Sequence, residues 1–145
     1  MVAAAGNSNQ NNNPTSSDPA SNANFNTIYP ASLAEPNIIS VGASTPTDTR
    51  ASFSSYGNQS VSLFAPGDQL LTTSYDQMSA YVSGTSLAAP VVSAAAALVW
   101  SVHPTWTPEQ VKADLMSTVT KVPYESPHVV GFRVAGGPPP GEPPA

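Results

Sequence analysis

Residues 86–102 constrain this chain more than any other stretch, because they carry no charged side chain at all. Leu87, the alanines at 88–89 and 94–97, Val91, Val92, Leu98, Val99, Trp100 and Val102 leave almost no polar stripe. A helix that is apolar on every face belongs in a core. Pro90 is tolerable if it falls in or near the first turn, where amide hydrogens lack helical partners. His103-Pro104 ends the run. Thr107-Pro108-Glu109-Gln110 then announces a second helix, with Thr as N-cap, Pro at the first helical position and Gln closing a capping box. Its apolar stripe is Val111, Leu115 and Val119, so it packs as an ordinary amphipathic helix.

The rest of the chain reads as strands and loops. Residues 1–5 form a short apolar run stopped by Gly6-Asn7, the pattern of a buried strand. Residues 8–27 are rich in Asn, Ser and Pro and predict a long exposed loop. Short strands are expected at 37–41, 61–64 and 70–72, punctuated by Tyr56-Gly57-Asn58 and Pro66-Gly67. From Pro123 periodicity fades, and the chain ends in a Gly/Pro-rich tail expected to be extended and disordered.

Composition removes several function classes. The 145 residues contain no cysteine, so disulfides, Cys-ligated zinc and thiol nucleophiles are excluded. Four Lys and Arg stand against nine Asp and Glu, a net charge of -5. Phosphates would repel such a surface, so neither nucleic acid nor an anionic membrane is an expected partner. No apolar run approaches the ~20 residues of a membrane span. No basic n-region follows Met1, so no signal peptide is visible.

The chemistry concentrates at Gly84-Thr85-Ser86-Leu87-Ala88-Ala89-Pro90. A serine opening a buried helix has its hydroxyl at the positive end of a helix dipole, beside unpaired amides. An oxyanion formed there finds donors already in place. The other reading of Ser86 is a plain N-cap, and this segment alone does not choose between them. Ala3-Ala4-Ala5-Gly6-Asn7 sets an Asn amide just past the C-terminal end of a strand, where α/β proteins build their sites.

Together with Tyr29-Pro30-Ala31, 51–57 (Ala-Ser-Phe-Ser-Ser-Tyr-Gly) and Ala65-Pro66-Gly67, these motifs resemble the subtilisin-like serine proteases in order and spacing. The resemblance implies an α/β fold: a three-layer domain whose parallel sheet carries helices on both faces. Residues 1–122 correspond to the C-terminal half of the catalytic domain, with 123–145 as the tail. By position it implies that Ser86 is the nucleophile and that Asn7, with the Ser86 amide, forms the oxyanion hole. Ala4, Ala5 and Gly6 match one wall of the pocket for the side chain preceding the cut bond. Tyr29 and Pro30 lie near its base, and Gly84 belongs to the same substrate-binding set. In some relatives the segment around Ala31 also lends carbonyls to a weak cation site, and a structural calcium is implied for the complete domain. Protein or peptide substrates and a secreted or extracytoplasmic location follow from the same likeness.

A serine hydroxyl needs a neighbouring base, normally a His oriented by an Asp, and in the subtilisin order both precede the Ser. Here His103 and His128 both follow Ser86. His103 lies along the same helix, about 25 Å away at ~1.5 Å per residue, and is expected at the surface. His128 falls in the tail. Asp48, Asp68 and Asp76 read as turn or surface carboxylates. The N-terminal half of the catalytic domain is therefore the implied partner, in cis or in trans, and this chain alone is expected to be inactive. Ser83, Leu87 and Val91 stand where family members often carry Asn, Met and His. The rival reading is a non-catalytic remnant or interaction module. An α/β-hydrolase esterase fails, because Gly84-Thr85-Ser86-Leu87-Ala88 lacks the second glycine of that elbow.

Overall fold

A strand buried on both faces needs material packed above and below it, and β2 (Ile39–Ser44) is such a strand: all six of its residues are buried. The computed structural model describes residues 1–13, 27–74, 78–121 and 130–131. Within them, β2 pairs in parallel with β1 (Val2–Ala4) and with β3 (Leu63–Pro66). The antiparallel hairpin of β4 (Leu70–Thr73) and β5 (Ser79–Val82) follows, then α1 (Thr85–Val102) and α2 (Pro108–Thr118). β6 (Thr120–Lys121) and β7 (Val130–Gly131) complete a five-stranded sheet in the order β1-β2-β3-β7-β6, β6 running antiparallel to β7. A parallel sheet flanked by helices is the α/β architecture expected.

Register decides what each face receives. Val41 pairs with Leu63 and Ala43 with Ala65, so these four share a face. They join Ala88, Val92 and Ala95 of α1 and Val111 and Leu115 of α2 in the main core. Phe64 points to the other face, into a smaller cluster with Ala5 and Val61. The strands around β2 and β3 begin about two residues later than the sequence pattern suggests. Gly42, Ala43 and Ser44 have little strand propensity of their own, and it is burial between neighbours that holds them extended. β5 carries no marker in the sequence, since its residues are mostly exposed. Val130–Gly131 forms β7 beyond the point where periodicity fades.

Two expectations need correction. The exposed loop predicted from residue 8 is instead drawn against the body at its start, where Asn12 is buried and its side chain donates to the Ala5 carbonyl at 2.7 Å. The helix expected to be buried all round is not. α1 buries Thr85, Ala88, Val92 and Ala95, while Pro90, Ala94, Ala97 and Leu98 face solvent. It has the length and apolar composition to cross a membrane, contrary to the sequence estimate, but its inner face lies on the sheet. Pro90 sits just past the first turn and has no N–H to offer the Ser86 carbonyl.

α2 starts as its sequence predicts. The Gln110 amide donates to the Thr107 hydroxyl, and Gln110 Oε1 accepts from the Thr107 amide. His103 caps the end of α1 and stacks on Trp106 with ring centroids 3.8 Å apart. Asp48 is half-buried in a turn with φ 58°, and Asp68 accepts from the Ser83 hydroxyl at 2.6 Å. Asp76, His128 and most of the tail lie outside the described residues.

Gly42 provides the sharpest test of this packing. A Cβ there would come within 2.3 Å of the Phe64 ring, so Phe64 would have to shift. Gly42→Ala should therefore cost about 1–3 kcal/mol, the usual penalty of overpacking. Chemical denaturation of the variant reads this directly, and an unchanged unfolding midpoint would contradict the packing described.

Candidate active site

The end of β1 and the start of α1 meet, although they lie far apart in the sequence. After Ala5, Gly6 turns with φ 105°, a conformation that disfavours any side chain. A Cβ at Gly6 would also collide with Ile28, which brings the segment opening Tyr29-Pro30 alongside. The Tyr29-Pro30 peptide is cis; both residues are exposed, whereas Ala31 is buried. Ala4, Ala5, Gly6, Tyr29 and Pro30 thus come from two segments that lie side by side.

Asn7 follows Gly6 and is exposed. Its carbonyl oxygen accepts from the Thr85 amide and from the Thr85 hydroxyl, both at 2.9 Å. That hydroxyl in turn accepts from the Gly6 amide at 3.1 Å. With Oδ1 occupied twice, the Asn7 amide is fixed with Nδ2 directed away from Thr85. Thr85 itself is buried. Its place inside the motif was visible in the sequence, but its job was not, because that job depends on partners at Gly6 and Asn7.

The other side of the site is the N-terminus of α1. Gly84 is the N-cap and makes no side-chain cap, so Ser86 is the second helical residue and not a cap. The structure thus removes the plain N-cap reading. The Leu87 amide donates to the Gly84 carbonyl at 3.0 Å, and the Thr85 amide is taken by Asn7. The Ser86 amide has no partner among the described residues, as the first amides of a helix have none within it. Gly84 is seated by its own amide, which donates to the Gly67 carbonyl at 2.7 Å.

Gly84 also supplies a probe of the space between these groups. A Cβ placed on it would lie 3.0 Å from Ser86 Oγ, 3.5 Å from Asn7 Nδ2 and 3.8 Å from the Ser86 amide nitrogen. A hydroxyl, a side-chain amide and a helix-end amide therefore surround one small volume open to solvent. This is the layout that a developing oxyanion requires.

The stretch after Asn7 is held firmly. The Asn9 amide donates to the Phe53 carbonyl at 2.8 Å, and the Ser55 amide to the Gly6 carbonyl at 2.9 Å. Arg50 donates to Asn9 Oδ1 and to the Ser54 carbonyl while its guanidinium lies 4.7 Å from the centre of the Tyr56 ring. No local pattern around Arg50 marks it for this role, which depends on partners at Asn9, Ser54 and Tyr56. His103, at the far end of α1, is not brought to the site.

Residues 1–133 match the subtilase family. The chain is 46% identical over 94 residues to an extracellular serine proteinase of Thermus sp. (strain Rt41A), covering 63% of this chain and 21% of that protein. It is 45% identical over 92 residues to Subtilisin E of Bacillus subtilis (strain 168), covering 63% and 23%. With the subtilisin-like serine protease Rho m 2.0101 of Rhodotorula mucilaginosa it shares 34% over 135 residues, covering 81% and 39%. Among solved structures, a cold adapted subtilisin-like serine proteinase aligns with TM-score 0.68 and 35% identity over 88% of this chain and 41% of that one. The prenylagaramide maturation protease PagA aligns with TM-score 0.71 and 25% identity over 91% and 46%. The chain spans less than half the length of each.

Thr85→Val keeps the backbone bond to Asn7 but removes the hydroxyl, leaving the Gly6 amide unpaired. The variant should lose about 1–3 kcal/mol of stability, and the side-chain NH2 signals of Asn7 should broaden or shift in NMR spectra. Thr85→Ser should restore both. An Asn7 signal indifferent to Thr85→Val would contradict the positioning described.

Proposed function

We propose, since the chain belongs to the subtilase family, that it supplies the nucleophile and the oxyanion hole of a serine endopeptidase. The observation that carries this reading is the convergence of Ser86 Oγ, Asn7 Nδ2 and the Ser86 amide on one point beside Gly84. In the reaction, Ser86 Oγ adds to the carbonyl carbon of the scissile peptide and gives up its proton to a base. The carbonyl electrons move onto oxygen, where Asn7 Nδ2–H and the Ser86 N–H donate to the negative charge. Collapse of the tetrahedral species expels the amine, which takes the proton from the same base. Water then releases the acyl group from Ser86 by the reverse sequence. Gly84, Ala4, Ala5 and Gly6 lie along the acyl side of the substrate, and Tyr29-Pro30 lies near the base of the pocket.

The base is assigned to the part of the catalytic domain that this chain does not span, since the family order sets Asp and His ahead of Ser. Two features support a partner of that kind. The described β1 lies at the edge of the sheet, and an edge strand is a template for further pairing. The outer face of α1 exposes Pro90, Ala94, Ala97 and Leu98, an apolar strip continuous with the exposed Ser86. Covering both would bring a catalytic His within reach of Ser86. Action outside the cytoplasm accords with the extracellular proteinase to which the chain is similar.

Labelling with a fluorophosphonate tests this reading. Residues 1–145 alone should label negligibly, because none of the described residues accepts a hydrogen bond from Ser86 Oγ. Joined to the preceding half of the domain, the chain should label at Ser86 and cleave peptides, and Ser86→Ala should abolish both. Asn7→Ala should lower peptide turnover roughly a hundred- to a thousandfold, a magnitude established on a subtilisin. A completed domain that folds but never labels at Ser86 would favour the non-catalytic remnant.

A further inference from the structure

Beside the buried Ala31 lies a cavity of about 290 Å³, lined among others by Glu35, Ile38, Gln59, Ser60, Ser62 and Lys112. It sits where the family likeness implies carbonyl groups for a weakly held metal cation, so its fitness for one can be judged from its lining. Lys112 reaches in from α2 and its Nζ donates to the Ile38 carbonyl at 2.6 Å. Several other carbonyls of this corner are engaged as well, among them Glu35 O, which accepts from the Ile38 amide at 3.2 Å. Ile28 O accepts from the Ser32 amide at 2.8 Å, and Pro30 O from the Leu33 amide at 3.1 Å. The Ser62 hydroxyl accepts from the Ser40 amide at 3.1 Å.

Calcium needs six to eight oxygens at about 2.3–2.6 Å, usually with several carboxylates among them. Here Glu35 is the one carboxylate of the lining, and the Ile38 carbonyl already holds an ammonium. A divalent ion would meet a fixed positive charge at short range, with little anionic lining to offset it. The residues present do not fit a metal.

We propose that this cavity is a cation site whose cation is built into the chain: the Lys112 ammonium occupies it in place of a metal ion. The consequence is mechanical. Lys112 ties the first turns of α2 to the segment entering β2, a contact that spans 74 positions in sequence. Chelators cannot remove such a cross-link, and the local structure keeps it whatever the calcium level outside. Burial pulls Lys112 below the ordinary lysine value, the direction expected for an ammonium withdrawn from water, and the Ile38 carbonyl replaces part of the lost hydration.

The test is acetylation of Lys112 by acetic anhydride, read by peptide mass spectrometry on the chain with its natural flanking sequence. The reaction is run in chelator, in millimolar calcium, and in denaturant as the unprotected reference. Lys112 should react several-fold more slowly in the folded protein than in denaturant, with the same rate in calcium and in chelator. Calcium-induced acceleration would mean that the metal displaces the ammonium, and a rate equal to that in denaturant would mean that the ammonium is not seated; either overturns the proposal. Lys112→Met should also melt several degrees below the parent in chelator, and equal melting temperatures would count against it. If that variant does not fold, the labelling of the parent chain decides alone.

Discussion

Thr85 joins two segments of the chain that lie 78 positions apart. Its amide and hydroxyl both grip Asn7 Oδ1, and its hydroxyl receives the Gly6 amide. The bond set closes the gap between the end of β1 and the first turn of α1. Without it, Asn7 would be an exposed loop residue free to rotate, and its Nδ2 would have no fixed aim. With it, one amide nitrogen is committed to the space beside Ser86. Because Thr85 is buried, water cannot easily replace these bonds, which is why so small a network can hold a site in place.

That network works only because the backbone elements approach closely. A Cβ on Gly67 would meet Ala43 at 2.7 Å, the Gly84 carbonyl at 2.9 Å and Ala88 at 3.1 Å. The Gly84 amide bonds to the Gly67 carbonyl across the same gap. Small residues at 43, 67, 84 and 88 thus let the N-terminus of α1 sit almost on the sheet. The parallel pairing of β1 with β2 then fixes how far β1 extends and where Gly6 and Asn7 emerge. Sheet register and helix placement are in this sense parts of the geometry that brings Asn7 and Ser86 together.

Much of this was legible in the sequence, for identifiable reasons. The two helices follow from an uncharged run and from a capping box, both local signals. Ser86 and Asn7 were marked by short motifs with special backbone demands. What stayed hidden depends on contacts between distant residues. Thr85 looks like filler until its partners at Gly6 and Asn7 are known. Lys112 reads as the polar face of an amphipathic helix until its ammonium is seen on a carbonyl of another segment. Gly42 and Ala43 enter β2 by tertiary burial, against their own propensity. Asn12, lying in a polar run, goes inside because the Ala5 carbonyl needs a donor. The apolar circumference of α1 predicted burial on every face, and that expectation fails, because the sheet covers only one side of the helix.

The central claim is that Asn7 and the helix-end amide act together on one oxyanion at Ser86. It is tested most directly by NMR of the completed domain, with Asn7 and Ser86 isotopically labelled and Ser86 carrying a peptidyl phosphonate. Adduct formation should shift the Asn7 side-chain NH2 and the Ser86 backbone N–H together to lower field, as both donate to the phosphonyl oxygen. An adduct on Ser86 that leaves the Asn7 side-chain signals where they were would contradict the account.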